Sequence, residues 1–396
     1  MDSLELYEMI AGGEDSFTEF KREISERSDF AGEMVAFANT EGGYILLGVD
    51  DTGKIVGVDA PQRVEEQVIN LARQNCRPPI TPSIDRVETE EGLVLVVYVP
   101  RRVGAPHETN TGICYIRVGS TKRRCTPQER ARLLQLAGLV HYDETPVPRT
   151  GIDDLSLKAF GKYYERIYEA PLNTAEVPLP QMLENMRFVV RDVEGRARLS
   201  LGGLLLFGKQ PQDYLRYARI SAVRWQGREA GETIIDRQEI EGRLPDQIDH
   251  AVAFIERNTQ LSTIIDGPQQ TDRPQYPRPA LREAIVNAVA HRDYSLTGAN
   301  TLLYIFDDRV EIRSPGGLPN TVTLDNIRTH YSRARNETIT RVLLTLGYFN
   351  NLGSGIPRMI RLMRGHVGRE PEFEVIGRHV EGQQFLVRLW GEPITS

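Results

Sequence analysis

The segment LREAIVNAVAHRDY (281–294) sorts its polar and apolar residues onto two stripes of one helix. Because a helix turns by about 100° per residue, side chains four positions apart share a face, and Glu283, Asn287 and His291 are spaced in this way. The apolar residues recur with the spacing of a buried face: Leu281, Ala284, Ile285 and Ala288. Such a helix must pack its apolar side into a core and present its polar side to a site, whose nature decides the function.

Length and composition place the chain among globular proteins of several domains. Its 396 residues predict two or three domains, and 40% hydrophobic with 26% charged residues is typical of a folded chain. The longest apolar stretches, GLVLVVYV and LGGLLLF, are strand-sized, and the N-terminal segment has no signal-peptide pattern. The scattered cysteines, Cys76, Cys114 and Cys125, form neither a disulfide framework nor a zinc site. We therefore expect a cytoplasmic protein without a membrane partner.

Charge is unevenly distributed along a chain whose net charge is −7. Residues 1–66 carry 16 Asp/Glu against 5 Lys/Arg, whereas residues 101–135 carry 8 Lys/Arg against 2 Asp/Glu. A short basic segment can bind a polyanion. The alternative is an ordinary solvated surface, and charge alone favours that alternative.

The hydrophobic pattern predicts an α+β chain in three parts: residues 1–142, a linker with a mixed α/β middle domain at 143–270, and residues 271–396. Predicted helices lie near residues 3–11, 28–40, 61–75, 156–170, 244–258, 280–291, 337–346 and 356–365. Predicted strands include the hairpins YILLGVDDTGKIVGV and NTLLYIFDDRVEIRSP and the run RLSLGGLLLFG. The segment TPQERARLLQL predicts a helix with a capping box, Thr126 as N-cap and Glu129 at N3. The proline-rich segment 266–279 is interpreted as a second boundary.

The segment GLLLFGKQ (203–210) fits a phosphate-binding loop except at its end, where Gln210 replaces the Ser/Thr that holds Mg²⁺. A phosphate loop must expose its backbone N–H groups around the anion. Between the two glycines stand three leucines and a phenylalanine, which predict a buried core strand instead. We therefore reject the phosphate loop and expect Gly208 and Lys209 to end the strand in a turn.

Three ordered motifs in residues 275–396 resemble the ATP-binding domain of the Bergerat-fold (GHKL) family. The motifs are REAIVNAVAHRDY, VEIRSPGGLP and RNETI…LGSGIPRM, and they look most like the divergent ATP-binding domain of many bacterial Schlafen AlbA-type proteins. The resemblance implies a GHKL-like α/β sandwich that binds ATP with Mg²⁺. It also implies that Asn287 coordinates the Mg²⁺ and that Glu283, one turn earlier, polarises the attacking water.

Two glycine segments complete the nucleotide site that the resemblance implies. Glycine lets the backbone approach phosphate closely, and the second segment precedes a predicted helix whose free N–H groups attract an anion. The implicated residues are Gly316, Gly317, Gly353, Ser354 and Gly355. His291 either contacts the nucleotide or caps its helix and packs against Tyr294. Arg335 either reaches a phosphate or is solvated.

One departure from the GHKL pattern concerns the base. Typical members use an Asp-x-Gly-x-Gly segment whose Asp binds the adenine amino group, whereas this sequence has Ser314-Pro315-Gly316-Gly317. The nearest aspartates, Asp307 and Asp308, belong to the predicted hairpin turn. Nucleotide binding is therefore expected more firmly than base selectivity or hydrolysis.

Residues 10–125 resemble the Schlafen AlbA-type domain through EDSFTEFKRE (14–23), AFANTEGGYILLGVDDTGKIVGV (36–58), LVVYVP and YIRVGSTKRR (115–124). That family is described as nucleic-acid-binding, and some Schlafen proteins are metal-dependent endonucleases. Carried over residue by residue, the resemblance implies a Mn²⁺ or Mg²⁺ site at Glu14, Glu19 and Asp50, with Asp51 competing for the last place and Lys21 at the scissile phosphate. The alternative is local, because aspartates suit a hairpin turn.

The basic residues of this domain flank a Gly-Ser turn, an arrangement that favours phosphate contact over base readout. They are Arg117, Lys122, Arg123 and Arg124. No recognition-helix motif stands out, so the expected partner is DNA or RNA without sequence specificity. Both resembled families commonly self-associate, which makes a homodimer the default expectation.

Three functions remain as hypotheses. The first is an ATP-binding regulator whose nucleotide state alters its engagement with nucleic acid, for instance in transcription. The second is a nucleotide-gated, metal-dependent endonuclease with a defence role. The third is an interaction scaffold in which neither site is active.

Overall fold

The structure, a computed structural model, describes residues 1–101, 106–231, 233–266, 269–319, 322–329, 333–349, 353–377 and 382–391. The backbone contacts divide the chain into two units, Met1–Val140 and His141–Ser396. Helices and sheets are mixed in both units, which confirms the expected α+β class. The first break thus falls near the expected boundary after residue 142, whereas the three-part division remains a prediction.

The elements of the first unit follow the expected order, except that the hairpin predicted at YILLGVDDTGKIVGV is wrong: its second half forms no strand and makes only an isolated bridge between Val49 and Ile55. Its helices are α1 Ser3–Gly12, α2 Arg27–Asn39, α3 Pro61–Gln74 and α4 Pro127–Leu136. Its strands are β1 Thr18–Lys21, β2 Gly42–Leu47, β3 Cys76–Arg77, β4 Ser83–Glu88, β5 Leu93–Pro100, β6 Glu108–Thr109, β7 Tyr115–Val118 and β8 Thr121–Arg124. The main sheet has the order β1-β2-β5-β4, with β1 parallel to β2 and the other pairs antiparallel. The pairs β3-β6 and β7-β8 are separate two-stranded sheets.

The main sheet of the first unit buries both of its faces. Successive side chains of a strand point to opposite faces, so Ile45 packs with α2 and α3 while its neighbour Leu46 packs with Leu6 of α1. Helix α2 is buried from Phe30 to its end, because it lies between this sheet and the β7-β8 hairpin. The capping box predicted at the start of α4 is present. The main sheet and helix α2 therefore position the β7-β8 hairpin, which carries the basic residues.

The second unit contains the remaining elements. Its helices are α5 Leu157–Tyr168, α6 Leu179–Asn185, α7 Leu201–Phe207, α8 Leu244–Arg257, α9 Arg278–Ala290, α10 Glu337–Thr345 and α11 Gly355–Val367. Its strands are β9 Val189–Arg191, β10 Ala197–Leu199, β11 Ile220–Trp225, β12 Ile234–Ile240, β13 Leu261–Asp266, β14 Gln269–Pro274, β15 Thr301–Ile305, β16 Arg309–Pro315, β17 Glu372–Ile376 and β18 Gln384–Trp390. The largest sheet has the order β12-β11-β15-β16-β18-β17.

One sheet and one hydrophobic core run through the second unit. Strand β11, from the expected middle domain, pairs in parallel with β15 of the expected C-terminal domain. Helix α9 contacts α8, α11 and β16, and its apolar side joins the same core as the inward residues of the sheet. The expected boundary at 266–279 does not interrupt this core, and part of that segment pairs as the hairpin β13-β14.

The apolar run at residues 201–207 forms helix α7, so the prediction of a strand there is wrong. Ser200 caps the helix by accepting a hydrogen bond from the Gly203 N–H, and every residue of α7 is buried. A side chain at Gly203 would meet the carbonyl oxygen of Phe188 at 2.3 Å, which explains the glycine. The backbone N–H of Gly208 donates to Leu204 within the helix, so the segment has no phosphate-loop geometry. Within the ranges described above, no helix has the length and apolar character needed to cross a membrane.

Asp143 joins the start of the second unit to the first turn of α10. Its side chain is fully buried, and its Oδ2 accepts a hydrogen bond from the backbone N–H of Ile339 at 3.1 Å. Burial disfavours the charged form and raises the pKa of Asp143 to about 6. The folded protein therefore binds a proton at this carboxyl more tightly than the unfolded chain does.

Replacing Asp143 with Asn should remove a pH-dependent term from the free energy of unfolding. A raised folded-state pKa contributes stability that is complete below about pH 4 and is lost as the pH rises through about 6. We expect Asp143→Asn to gain stability relative to wild type across this window, by about 3 kcal/mol at most. Urea unfolding between pH 4 and pH 8 measures the difference, with Asp153→Asn, at an exposed carboxylate, as the control. If the free energy of unfolding differs between wild type and Asp143→Asn by the same amount at every pH, the raised pKa of Asp143 is contradicted.

Candidate functional site

The polar stripe of α9 lines a cleft in the second unit, as the helix pattern predicted. Glu283, Asn287 and His291 face this cleft, which has about 810 Å³ of empty space, part of it open to solvent. Both glycine segments reach the same cleft, at Gly316–Gly317 and at Gly353–Gly355. The structure therefore brings together the polar stripe and the two segments that the sequence had suggested as partners.

The carboxylate of Glu283 contacts the second glycine segment directly. Glu283 is buried, and Asn287 donates a hydrogen bond from Nδ2 to its Oε1 at 3.3 Å. A β-carbon on Gly355 would lie 1.8 Å from the same Oε1, so only glycine allows this contact. Burial raises the pKa of Glu283, which outweighs the opposing effects of Asn287 and Arg358. The amide orientation of Asn287 leaves its carbonyl oxygen available for another ligand.

The first glycine segment is held by backbone geometry that needs glycine. Gly316 has a φ of 102°, and a β-carbon there would meet Arg335 and Asp293 within 2.6 Å. Its N–H donates to the carbonyl oxygen of Gln383 at 2.8 Å. In the second segment Gly353 has a φ of 83°, and the carbonyl oxygen of Ser354 accepts the N–H of Arg358 in the first turn of α11. Both segments are thus fixed against the cleft.

His291 is a neutral side chain at the end of α9. Burial, reinforced by the positive charge of Arg335, lowers its pKa to about 4. Its Nδ1 is buried and has no hydrogen-bond partner among the described residues. His291 therefore borders the cleft as an uncharged ring rather than as a cation.

Arg335 links the two walls of the cleft instead of pointing into it. Its guanidinium donates to the carbonyl oxygen of His291 at 2.9 Å and to that of Gly317 at 2.7 Å. The side chain is buried, so the alternative that it is solvated is wrong. Arg335 positions the end of α9 and the first glycine segment relative to each other.

Much of the cleft is apolar, and sequence analysis missed this part. The apolar lining residues are Leu318, Pro319, Val322, Ile327, Phe349, Ile356 and Phe385. They come from loops, from a short 3-10 helix, from the start of α11 and from β18, so no single periodic pattern marked them. Ser314, in the place of the typical Asp, donates its hydroxyl to the carbonyl oxygen of Ala288 at 2.7 Å and is buried. A flat, apolar group is the natural occupant of this half of the cleft.

In the first unit, the predicted site residues form a buried network of ion pairs. Glu19 pairs with Lys21 at 2.6 Å and with Arg117 at 2.8 Å. Glu33, which sequence analysis missed, pairs with Arg117 at 3.3 Å and with Lys122 at 2.6 Å. Burial nevertheless raises the pKa of Glu33. The network neutralises charges within the unit.

Arg117 is the centre of this network. Its side chain has no exposed surface, donates to the carbonyl oxygens of Asp15 and Thr18, and lies 4.4 Å above the ring of Phe37. The expectation that Arg117 contacts phosphate is therefore wrong for this structure, because no solvent reaches its guanidinium. Lys122 is largely occupied as well, since it also pairs with Asp29 at 2.5 Å.

The expected acidic residues of a nuclease do not form one metal-binding group. Glu14 accepts the backbone N–H of Phe20 at 2.8 Å, and Asp50 accepts the N–H and hydroxyl of Thr52 in its turn. The hydroxyl of Thr52 contributes most to lowering the pKa of Asp50. Among the residues that the structure describes, no three His, Cys, Asp or Glu side chains are placed to hold a metal ion. The local alternative for Asp50 therefore matches its observed contacts.

Arg123 and Arg124 are the more exposed basic residues of the hairpin. Arg123 makes two hydrogen bonds to Glu129, at 2.8 and 2.6 Å, yet 46% of its side chain is exposed. Arg124 is exposed on β8. These two side chains, rather than Arg117, are positioned to meet a polyanion.

Comparisons with known families confirm both resemblances. Residues 14–126 match the family described as Schlafen, AlbA_2, and residues 298–386 match the family described as Putative ATP-dependent DNA helicase recG C-terminal. Residues 132–220 match a domain of unknown function. The chain therefore carries an AlbA_2 domain before an ATPase-like domain. The polar stripe of α9 precedes the second match, whereas both glycine segments lie inside it.

Two solved structures are similar to parts or all of this chain, with sequence identities below 30%. The DIP2311 protein from Corynebacterium diphtheriae is 22% identical, with 99% of this chain and 80% of that chain covered and a TM-score of 0.48. The N-terminal domain of a Putative ATP-dependent DNA Helicase RecG-related Protein from Nitrosomonas europaea is 28% identical, with 32% and 94% covered and a TM-score of 0.26. No curated protein matches the chain.

Replacing Arg117 with Ala should strongly destabilise the first unit. The change leaves Glu19 and Glu33 buried with fewer cations, and breaking a buried ion pair from one side costs about 3–5 kcal/mol. Urea unfolding measures the loss. The matched control is Arg124→Ala on the same hairpin, for which we expect a change within about 0.5 kcal/mol. Equal stability of the two variants is the result that contradicts a structural role for Arg117.

Proposed function

We propose that this chain, with an AlbA_2 domain followed by an ATPase-like domain, is an ATP-binding protein that associates with nucleic acid. ATP with Mg²⁺ would occupy the cleft of the second unit, and its presence would control how the first unit engages nucleic acid. The observation that carries the proposal is one cleft that joins Glu283, Asn287 and both glycine segments.

The residues of the cleft suit a nucleotide in two separate regions. Asn287 presents a carbonyl oxygen, the kind of hard ligand that Mg²⁺ accepts, beside a glycine segment that lies at the start of α11. Backbone N–H groups at a helix start attract phosphate. The apolar region around Phe349 and Phe385 suits a base and ribose. Bound Mg²⁺, held by Asn287, would supply positive charge that neutralises the phosphate oxygens.

Glu283 is the candidate general base for hydrolysis. Its burial raises the pKa of the carboxyl above that of an exposed glutamate, so proton transfer from water becomes more favourable. The hydrogen bond from Asn287 holds the carboxylate within the same cleft. On this basis we propose that the site hydrolyses the nucleotide in addition to binding it.

Base selectivity should be weak. Ser314 replaces the aspartate that typical GHKL members use, and its hydroxyl is already bonded to the Ala288 carbonyl. His291 also lines the cleft, and burial lowers its pKa to about 4, so it supplies no positive charge that would select one base over another. An uncharged ring discriminates less than a carboxylate placed opposite an amino group.

The nuclease alternative lacks comparable support. Both carboxylate oxygens of Glu19 accept hydrogen bonds from cations, and Glu14 and Asp50 bond to nearby backbone N–H groups. A metal would have to displace these partners. We therefore favour a regulator that binds nucleic acid through the exposed arginines of β8, with a homodimer as its expected assembly.

Replacing Asn287 with Ala should weaken binding of Mg·ATP at least tenfold. The variant removes the proposed metal ligand but leaves the apolar region of the cleft unchanged. Loss of a residue that only orients a metal ligand already costs roughly ten- to a hundredfold in metal affinity. Isothermal titration of the full chain with ATP, in Mg²⁺ and then in EDTA, provides the measurement. Arg278→Ala, which removes an exposed side chain from the same helix, is the control. No heat with wild type, or equal affinity for Asn287→Ala, rejects the proposed site.

Replacing Arg123 and Arg124 with Ala should weaken nucleic-acid binding and reduce its dependence on salt. Each lost phosphate contact lowers the slope of log affinity against log salt by about 0.9 on duplex DNA. Fluorescence anisotropy with labelled duplex DNA, single-stranded DNA and RNA at several salt concentrations measures the slope. Arg86→Ala, which removes the same charge from β4 of the first unit, is the control. If wild type, the variant that lacks Arg123 and Arg124, and the Arg86→Ala control all give the same slope, the nucleic-acid contact lies elsewhere.

A further inference from the structure

Two cysteines that are eleven residues apart meet at the open end of the β7-β8 hairpin. Cys114 directly precedes β7 and Cys125 directly follows β8, and the backbone N–H of Cys125 donates to the carbonyl oxygen of Cys114 at 2.9 Å. Their Sγ atoms are 2.8 Å apart and both cysteines are thiols. The impression from the sequence that all three cysteines are scattered is therefore wrong for this pair.

The backbone around this pair suits a disulfide. Residues opposite each other on antiparallel strands have Cα atoms about 4.5–5.5 Å apart, within the range that disulfides bridge. Cys114 and Cys125 extend the register in which Tyr115 pairs with Arg124. An S–S bond of about 2.05 Å requires the sulfur atoms to approach by about 0.8 Å, which side-chain rotation can supply.

The surroundings of the two sulfur atoms differ. Cys114 is buried; its Sγ accepts a hydrogen bond from Nδ2 of Asn39 and shares a second one with the Sγ of Cys125, in which either thiol can donate. The contact with the Cys125 thiol lowers the pKa of Cys114, an effect that burial opposes. Cys125 is half-exposed. Cys76 is isolated from this pair, and burial raises its pKa to about 12.

We propose that Cys114 and Cys125 form an oxidisable dithiol site, which a peroxide converts into an intrachain disulfide. The Cys114 thiolate attacks one peroxide oxygen, the O–O bond breaks, and the released hydroxide takes up the proton lost by Cys114. The sulfur of Cys125 then attacks the sulfenic sulfur, the S–O bond breaks, and the oxygen leaves as water with the Cys125 proton. In total, two thiols lose two protons and two electrons, and one hydrogen peroxide is reduced to two waters.

Oxidation would link the two strands of the β7-β8 hairpin covalently at their open end. The hairpin between the two cysteines carries Arg117 and Lys122, whose cations neutralise the buried Glu19 and Glu33. A covalent link at the open end prevents the strands from separating, so the ion pairs stay formed during local opening. Transient, redox-sensing disulfides of this kind also occur in reducing compartments.

Thiol counting on the full-length wild-type protein tests the site. After treatment with hydrogen peroxide and unfolding in guanidinium, Ellman's reagent should detect one thiol instead of the three that the reduced chain contains. The intact mass should fall by about 2 Da, and peptide mapping should link residue 114 to residue 125. Dithiothreitol should restore all three thiols. Three thiols after peroxide, or a disulfide that joins two chains, overturns the proposal.

Variants separate this pair from general oxidation. Cys76→Ser should still lose two thiols, because Cys76 takes no part. Cys114→Ser and Cys125→Ser should form no intrachain disulfide, and Cys125→Ser should accumulate a sulfenic acid at Cys114 that reacts with dimedone. Dimedone labelling of Cys125 in Cys114→Ser, without labelling of Cys114 in Cys125→Ser, overturns the assigned order. The wild-type thiol count decides the existence of the site even if a variant fails to fold.

Discussion

The burial of helix α9 is the constraint on which the second unit depends: from Ala280 to Ala290 every residue except Arg282 and Asn287 is buried. The apolar stripe packs into the core shared by α8, α11 and the large sheet, and that packing fixes the rotation of the helix about its axis. Because Glu283, Asn287 and His291 lie on the opposite stripe, the same packing orients all three toward one cleft. The close contact between Glu283 and Gly355 then fixes how near α11 can approach. A hydrophobic interaction thus determines the geometry of a polar site.

The first unit solves a different problem, because its core contains charge. Glu19 and Glu33 are buried beside the sheet, and the hairpin β7-β8 folds over α2 to deliver the cations that neutralise them. Removing charged groups from water is costly unless they are paired and hydrogen-bonded. Arg117 meets this requirement by serving both carboxylates and two backbone carbonyls. Its positive charge is therefore neutralised within the fold. Contact with a polyanion would have to come from the exposed arginines farther along the hairpin.

Sequence patterns predicted what depends on neighbours along the chain. The stripe of α9 and the capping box of Thr126 and Glu129 are set within one or two turns, and both are present. The apolar run 201–207 was ambiguous between strand and helix, because periodicity cannot separate them in a short, wholly buried segment. The role of Arg117 was missed because its partner Glu19 lies 98 residues away. No local spacing encodes such a partner, and the same limit applies to the apolar wall of the cleft.

Glu283 and Glu311 are two buried carboxylates of the second unit whose environments differ. Glu311 is equally buried, and although burial alone would raise its pKa, hydrogen bonds from three arginines lower it to about 2. Those arginines are Arg309, Arg313 and Arg388. Glu283 is instead held by an amide hydrogen bond from Asn287, and its pKa is raised. The fold thus neutralises Glu311 with arginines, whereas Glu283 borders the cleft with an amide as its hydrogen-bond donor, and acids with perturbed pKa values in clefts are the candidates for a functional role.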